Sequence, residues 1–126
     1  MKKIIFTEKA PAPIGPYSQA VLTGNTLYVS GQIPLNPESG ELVMTSIEEQ
    51  TRQVMENLKS VLIQAGMIFD NVVKATIFIT DMNDFAKINS VYGSYFTESN
   101  APARETVQVS KLPKNVDVEI SVIAVK

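Results

Sequence analysis

The chain contains neither cysteine nor histidine among its 126 residues. It therefore has no thiol nucleophile, no disulfide and no imidazole for acid–base catalysis, and it lacks the nitrogen and sulfur ligands of the usual zinc sites. A Ser-His-Asp triad is excluded for the same reason. Any catalysis must rely on carboxylates, hydroxyls, lysine, arginine and backbone groups.

Long apolar runs and a strong excess of one charge are also absent. The first apolar run, residues 4–6, is too short for a signal peptide, and no stretch approaches the roughly 20 apolar residues that cross a bilayer. The 11 basic residues are scattered and the net charge is −2, so the chain has no electrostatic track for nucleic acid. These features predict a cytoplasmic protein without a membrane or nucleic-acid partner.

Length and periodicity predict one compact domain spanning residues 1–126. Strand and helix patterns follow one another in the order β-β-β-α-β-α-β-β. This order predicts an α+β fold in which both helices cover one face of a mixed six-stranded sheet. Two helices and about six strands form two layers, one of helices and one of sheet. The predicted strands cover residues 3–6, 17–22, 26–33, 71–80, 102–109 and 116–125.

Residues typical of helix ends indicate where the two helices lie. Ser46 followed by Glu49 is a capping box, and Gly66 fits the position just after the last turn. Asn83 and Asp84 can cap the second helix. The aromatic stripe of this helix is predicted to be core: Phe85, Tyr92, Tyr95 and Phe96.

Glycine and proline residues mark predicted turns, loops and a bulge in the first half of the chain. Gly24 and Asn25 predict a hairpin turn between the second and third strands. Gly31, inside the third strand, predicts a bulge or the close approach of another chain or a ligand. The loop of residues 10–16 contains three prolines and is either an ordered turn or a flexible linker.

One face of the predicted sheet has no cover. The last strand is apolar on one face throughout residues 116–125 and on its other face from Ile123 onward. Both helices lie in a single layer and cover only one side. We therefore expect the second face to pack against other copies of the chain, as a closed ring.

Two charged residues interrupt the last two strands. Arg104 shares a strand face with Thr106 and Gln108, and Glu119 points to the polar side of the final strand. If the two strands are neighbours, as we predict, Arg104 and Glu119 lie near each other. The pair is then either a structural ion pair or part of a site.

Four segments carry a resemblance to a known family: Gly15-Pro16-Tyr17-Ser18-Gln19-Ala20, Ser30-Gly31-Gln32-Ile33-Pro34, Pro102-Ala103-Arg104 and Val118-Glu119-Ile120. In order and spacing they are similar to the Rid family (RidA/YjgF group). The resemblance implies a chorismate-mutase-like fold of the bacillary type and a homotrimer with sites in the clefts between subunits. It also implies hydrolysis of 2-aminoacrylate and 2-iminobutanoate, the enamine and imine products of pyridoxal-phosphate-dependent dehydratases, to 2-keto acids and ammonia.

This chemistry suits the side chains that are present. Arginine grips a carboxylate bidentately, and a carboxylate can accept a proton from water without a metal or a cofactor. We predict that Arg104 clamps the substrate carboxylate and that Glu119 activates the water. The resemblance implies that further residues bind substrate or shape the cleft: Tyr17, Ser30, Gly31, Asn89 and Thr106.

Several of these residues also have purely structural interpretations. Tyr17 could be a packing aromatic, and Ser30 could satisfy a backbone group. Glu105 and Thr106 depart from the family pattern, which usually has a small residue and often cysteine at these positions. By strand alternation, Glu105 should point away from Arg104 and leave the clamp charged.

Two other functions remain open on the sequence. The first is a regulatory module that holds a small carboxylate at Arg104 without turnover. The second is a ribonuclease that inhibits translation, an activity described for relatives. Ribonuclease activity would require phosphate contacts, and the absence of a basic patch argues against it as the main role.

Overall fold

The computed structural model describes residues 1–126 and contains six main strands and two α-helices. Their order confirms the predicted β-β-β-α-β-α-β-β succession. Neither helix combines the length and apolarity needed to cross a bilayer. The elements are β1 (Lys2–Ile5), β2 (Ala20–Thr23), β3 (Thr26–Gln32), α1 (Ile47–Gln64), β4 (Val72–Ile79), α2 (Phe85–Gly93), β5 (Ala103–Gln108) and β6 (Val118–Val125).

The strands form one six-stranded sheet in the order β1-β2-β3-β6-β4-β5. Only β4 and β5 are parallel, because α2 carries the chain back across the sheet between them. Both helices pack on one face, where they bury Leu27, Ile77 and Ile120. The predicted mixed sheet with helices on one face is confirmed.

The prediction that the strands of Arg104 and Glu119 are neighbours is wrong. β6 pairs with β3 and β4, whereas β5 pairs only with β4 and forms the edge of the sheet. The crossover through α2 places β5 on the outer side of β4, and β6 then inserts on the inner side. One full strand therefore separates the two residues.

Two bulges alter the predicted faces. The β3–β6 register shifts between Val29 and Gln32, as Gly31 predicted, and this shift turns Gln32 into the core. A second shift, in β4, buries Val72 and leaves Val73 about half exposed, the reverse of the predicted alternation. An extra residue in a strand reverses the alternation beyond it, and no local pattern in β4 signals the extra residue.

The cap of the first helix is confirmed and that of the second is wrong. The Ser46 hydroxyl accepts a hydrogen bond from the Glu49 backbone N–H at 3.1 Å. Before α2, the Asp81 carboxylate accepts from the Asn83 N–H at 2.9 Å, and Asp84 makes no capping bond. The chain enters α2 through a short 3-10 turn, so the cap lies earlier than a simple helix start predicts.

A buried amide fixes the proline-rich loop of residues 10–16. The Gln19 side chain accepts from the Thr7 N–H at 2.7 Å and donates to the carbonyls of Thr7, Ala10 and Pro11 at 2.9, 3.2 and 2.9 Å. Gln19 is almost completely buried, so these bonds are shielded from water. The loop is an ordered turn, which decides between the two alternatives.

The sheet face without helices is partly apolar. Tyr28 and Val107 expose 50% and 41% of their surface there, too much for side chains that serve only an internal core. Ile123 pairs with Tyr28 on the same face. Half-exposed aromatic and branched side chains in one sheet face are typical of a packing surface.

Candidate active site

Arg104 lies on β5 on the side of the sheet that carries the helices. Its guanidinium NH1 donates a hydrogen bond to the Asn89 side-chain oxygen at 2.5 Å. The guanidinium carbon also lies 5.6 Å from the centre of the Phe85 ring and 5.1 Å from that of Tyr92. These four side chains are called the Arg104 cluster below. They place the predicted residues Arg104 and Asn89 together.

The helix period explains how α2 contributes three members of this cluster. Phe85, Asn89 and Tyr92 stand at positions i, i+4 and i+7, which share one face of a helix. The prediction that Phe85 is core is wrong, since 38% of its surface is exposed. Tyr92 is buried as predicted. Asn89 is a polar residue in an otherwise aromatic helix face, and this feature of the sequence indicates that the face meets a polar partner.

Arg104 has no acidic partner. The only ion pair in the chain joins Lys74 Nζ and Glu105 Oε1 at 3.0 Å, on the opposite face of the sheet. The hydrogen bond from Lys74, followed by that from Thr76, lowers the pKa of Glu105. Glu105 therefore points away from Arg104, as alternation predicted, and the structural ion pair between Arg104 and Glu119 is absent.

Two hydroxyls beside Arg104 are buried without a hydrogen-bond partner. They belong to Tyr92 and to Thr106, which follows Arg104 on the same face of β5. Burial raises the pKa of Tyr92 to about 12, and the nearby charge of Arg104 partly opposes this rise. The Tyr92 hydroxyl is thus a neutral group, and leaving it unpaired costs stability.

Replacing Tyr92 with phenylalanine is expected to stabilise the protein slightly, by up to about 1 kcal/mol, because it removes an unpaired buried hydroxyl and keeps the ring. The melting temperature of the variant, measured at matched protein concentration, should equal or exceed that of the native chain. Tyr95→Phe is the matched control, since the Tyr95 hydroxyl donates to Glu56 at 2.7 Å and its loss should lower stability slightly. A clear fall for Tyr92→Phe would show that this hydroxyl is paired in the assembled protein.

Glu119 lies on the other face of the sheet, against the bulge in β3. A β-carbon added to Gly31 would lie only 2.8 Å from the Glu119 carboxyl carbon, so Gly31 is what lets this side chain lie across the strand. Burial raises the pKa of Glu119 above 4.5, its ordinary value, and no neighbouring cation opposes the rise. A carboxyl of this kind takes up and releases a proton closer to neutral pH.

Tyr17 and Ser30 lie near Gly31. Tyr17 and Gly31 both line a small cavity of about 30 Å³, together with the backbone bend at Lys114. The Ser30 hydroxyl donates to the Ser18 carbonyl at 2.6 Å, which is the structural role considered for it. Tyr17, Ser30, Gly31 and Glu119 form the Glu119 cluster.

The two clusters face opposite sides of the sheet. Arg104 on β5 pairs with Ala75 of β4, and Glu119 on β6 pairs with Phe78 of the same strand. These β4 positions are three residues apart, and an odd separation along a strand places side chains on opposite faces. Within one chain, the sheet itself separates Arg104 from Glu119, so a small ligand cannot contact both.

Comparison with known proteins identifies the fold family. Residues 7–126 match the family model described as endoribonuclease L-PSP. A RutC family protein of Pyrococcus horikoshii is 56% identical over 126 residues, covering 100% of this chain and 99% of the relative. The chain belongs to the Rid family. The 2-iminobutanoate/2-iminopropanoate deaminase of Escherichia coli is 49% identical to this Rid protein over 128 residues, covering 100% of the chain and 99% of the relative.

Solved structures of Rid proteins superpose closely on this one. A Rid family protein from Yersinia pestis has a TM-score of 0.97 at 52% identity, with 100% of both chains covered. Escherichia coli TdcF, crystallised with bound serine, has a TM-score of 0.93 at 45% identity, with 98% of each chain covered. The Rid resemblance and the chorismate-mutase-like fold are confirmed.

Proposed function

We propose that this Rid protein hydrolyses reactive 2-imino acids and their enamine tautomers, such as 2-iminobutanoate and 2-aminoacrylate, to 2-keto acids and ammonia. The observation that carries the proposal is the Arg104 guanidinium, which Asn89 holds at 2.5 Å and which has no carboxylate partner. An uncompensated and oriented arginine favours a carboxylate ligand. The 49% identity to a protein named as such a deaminase supports the same activity.

In the proposed reaction, Arg104 binds the substrate carboxylate and sets the orientation of the adjacent C=N bond. One water adds through its oxygen to the imine carbon, and Glu119 accepts the proton that this water loses. Transfer of that proton to nitrogen completes a carbinolamine. A proton then moves from the carbinolamine hydroxyl to its nitrogen, the C–N bond breaks as the C=O bond forms, ammonia leaves, and the 2-keto acid remains. The sum is one water consumed for each ammonia released.

The proposed site requires two copies of the chain, because its two halves face opposite sides of one sheet. A second copy packed on the apolar open face would bring its own Arg104 cluster toward the first copy's Glu119 cluster. We therefore propose a homotrimer with three shared sites, in which each subunit contributes one cluster to each of two neighbours. The apolar face at Tyr28 and Val107 supports this packing.

The proposal links the protein to pyridoxal-phosphate-dependent dehydratases of serine and threonine, whose released products are these enamines and imines. It places the reaction in the cytoplasm. It requires no cofactor, since water is the only co-reactant and the proton transfers need only a carboxyl group.

A coupled assay tests the activity directly. Threonine dehydratase in excess generates 2-iminobutanoate, and the rate of 2-ketobutyrate formation is followed with and without the native protein. The proposal expects a faster release of keto acid in proportion to the protein added, after spontaneous hydrolysis is subtracted. An unchanged rate with a folded oligomer contradicts the deaminase activity.

A hybrid experiment tests the shared site. Arg104→Ala and Glu119→Gln chains, each inactive alone, are mixed in equal amounts, unfolded together and refolded. Random assembly should restore roughly a quarter of the native activity, because a site is intact when one copy supplies Arg104 and its neighbour supplies Glu119. Activity no greater than the mean of the two parents would show that both residues act within one chain or not together.

The two rival functions make different predictions for the same proteins. A non-catalytic carboxylate-binding protein would bind 2-ketobutyrate through Arg104 but would not accelerate its formation. A ribonuclease, which the description of the family model suggests, would cleave RNA and would lose that activity as salt rises. Assaying native protein against RNA at two salt concentrations separates this function from imine hydrolysis.

A further inference from the structure

The Phe85 ring has no role in the core of the domain. Phe85 opens α2 and exposes 38% of its surface, although Tyr92 on the helix and Tyr95 and Phe96 just after it pack against the core. Tyr92 and Phe96 have ring centres 4.9 Å apart, and Phe69 lies 5.3 Å from both Tyr95 and Phe96. Phe85 is outside this group and instead lies beside the Arg104 guanidinium.

A guanidinium interacts with aromatic rings and with carboxylates through different parts of the group. Aromatic rings attract a cation through their π face, within about 6 Å of the ring centre. Hydrogen bonds to a carboxylate run instead from the N–H edge of the guanidinium. Phe85 and Tyr92 lie within the first range, and Asn89 occupies only NH1. The remaining N–H groups stay available to a ligand.

A long arginine side chain loses conformational freedom when it grips a ligand, and this loss weakens binding. Contacts that hold the side chain before the ligand arrives reduce the loss. A cavity of about 320 Å³ adjoins the guanidinium and is lined by Tyr92, Ala101, Pro102 and Arg104. The held arginine therefore borders a space large enough for a small carboxylate.

We infer that Phe85 and Tyr92 are positioning residues that orient Arg104 through their rings, so that helix α2 sets the affinity of the site for a ligand carboxylate. This inference rests on the proposed function for the identity of the substrate. It does not depend on turnover, since it concerns carboxylate binding alone. As positioning residues, the two rings act on the substrate only through Arg104.

The test is a series of substitutions at Phe85 with two readouts. Phe85→Leu should raise KM for 2-iminobutanoate roughly 3- to 10-fold while kcat stays within about two-fold, because it removes the π face and keeps an apolar side chain. Phe85→Tyr retains the ring and should restore the native KM. Since Phe85 is partly exposed, both variants should fold, and equal melting temperatures would confirm this.

Phe6→Leu is the matched control, because Phe6 exposes 50% of its surface beside the opposite edge strand of the sheet. It should leave KM unchanged. The second readout is the affinity of each variant for 2-ketobutyrate by calorimetry, which requires no turnover. A native protein that binds 2-ketobutyrate without hydrolysing imine, and loses affinity in Phe85→Leu, would overturn the proposed function and support the inference.

Three outcomes would overturn the inference. One is an affinity unchanged by Phe85→Leu, and another is an equal loss in Phe85→Leu and Phe85→Tyr. The third is a native protein that binds no carboxylate at all. Tyr92→Phe, which keeps its ring, should match the native affinity within about two-fold if the ring is the contact that orients Arg104.

Discussion

Arg104→Ala is expected to lower kcat/KM for 2-iminobutanoate about 100- to 1,000-fold, since it removes two charge-assisted hydrogen bonds to the substrate carboxylate. Most of the loss should be in KM if the carboxylate is held equally before and during the reaction. Arg104→Lys keeps the charge without the planar fork and should recover only part of the loss. The coupled dehydratase assay measures all three proteins.

Arg52→Ala is the matched control, because Arg52 is the only other arginine and lies on α1. Its kinetics should equal those of the native chain. A value of kcat/KM for Arg104→Ala within about three-fold of native, in a folded oligomer, would remove Arg104 from the site and with it the basis of the proposed function.

Glu119→Gln is expected to lower kcat about 100- to 10,000-fold, the usual contribution of a positioned general base. Binding of 2-ketobutyrate should survive, because the amide keeps the shape of the side chain and Arg104 is unchanged. Glu105→Gln is the matched control on the same sheet face. Its carboxylate pairs with Lys74, so the variant should retain the native rate. A native rate in Glu119→Gln would favour carboxylate binding without catalysis by this residue.

The pH dependence of the native rate gives an independent check on Glu119. Water activation requires the carboxylate form, and burial raises the pKa of this group above 4.5. The rate should therefore fall on acidification, with a midpoint above 4.5, after the spontaneous rate at each pH is subtracted. Glu119→Gln should lack this acidic limb. A midpoint at or below 4.5 would show that a different group titrates.

Periodicity predicted the elements because each depends on short-range patterns. The alternation of β6 and the spacing of α1 from its Ser46 cap required only neighbouring residues. The bulge at Val73 was not predictable, since it is a property of how β4 pairs with β6. The cap at Asp81 was missed because the chain adds a 3-10 turn before the helix.

The motifs of the sequence led to the Rid family and, through it, to Arg104 and Glu119 as candidate residues. They did not predict that Phe85 lies outside the core and beside Arg104. The spacing of Phe85, Asn89 and Tyr92 did place all three on one helix face. Which partner a helix face meets depends on the strand packed beneath it. Here that strand is β5, and the periodicity of the helix does not specify how the helix packs on it.

The sequence by itself determined the order of strands and helices, the family and the chemical groups available for catalysis, because these follow from local patterns and from residue types. Only the tertiary structure decided that β4 separates Arg104 from Glu119 and that the two face opposite sides of the sheet. Strand order and register arise from pairing between distant segments, where one residue of shift reverses every face. The need for a second copy of the chain in the proposed site follows from that pairing.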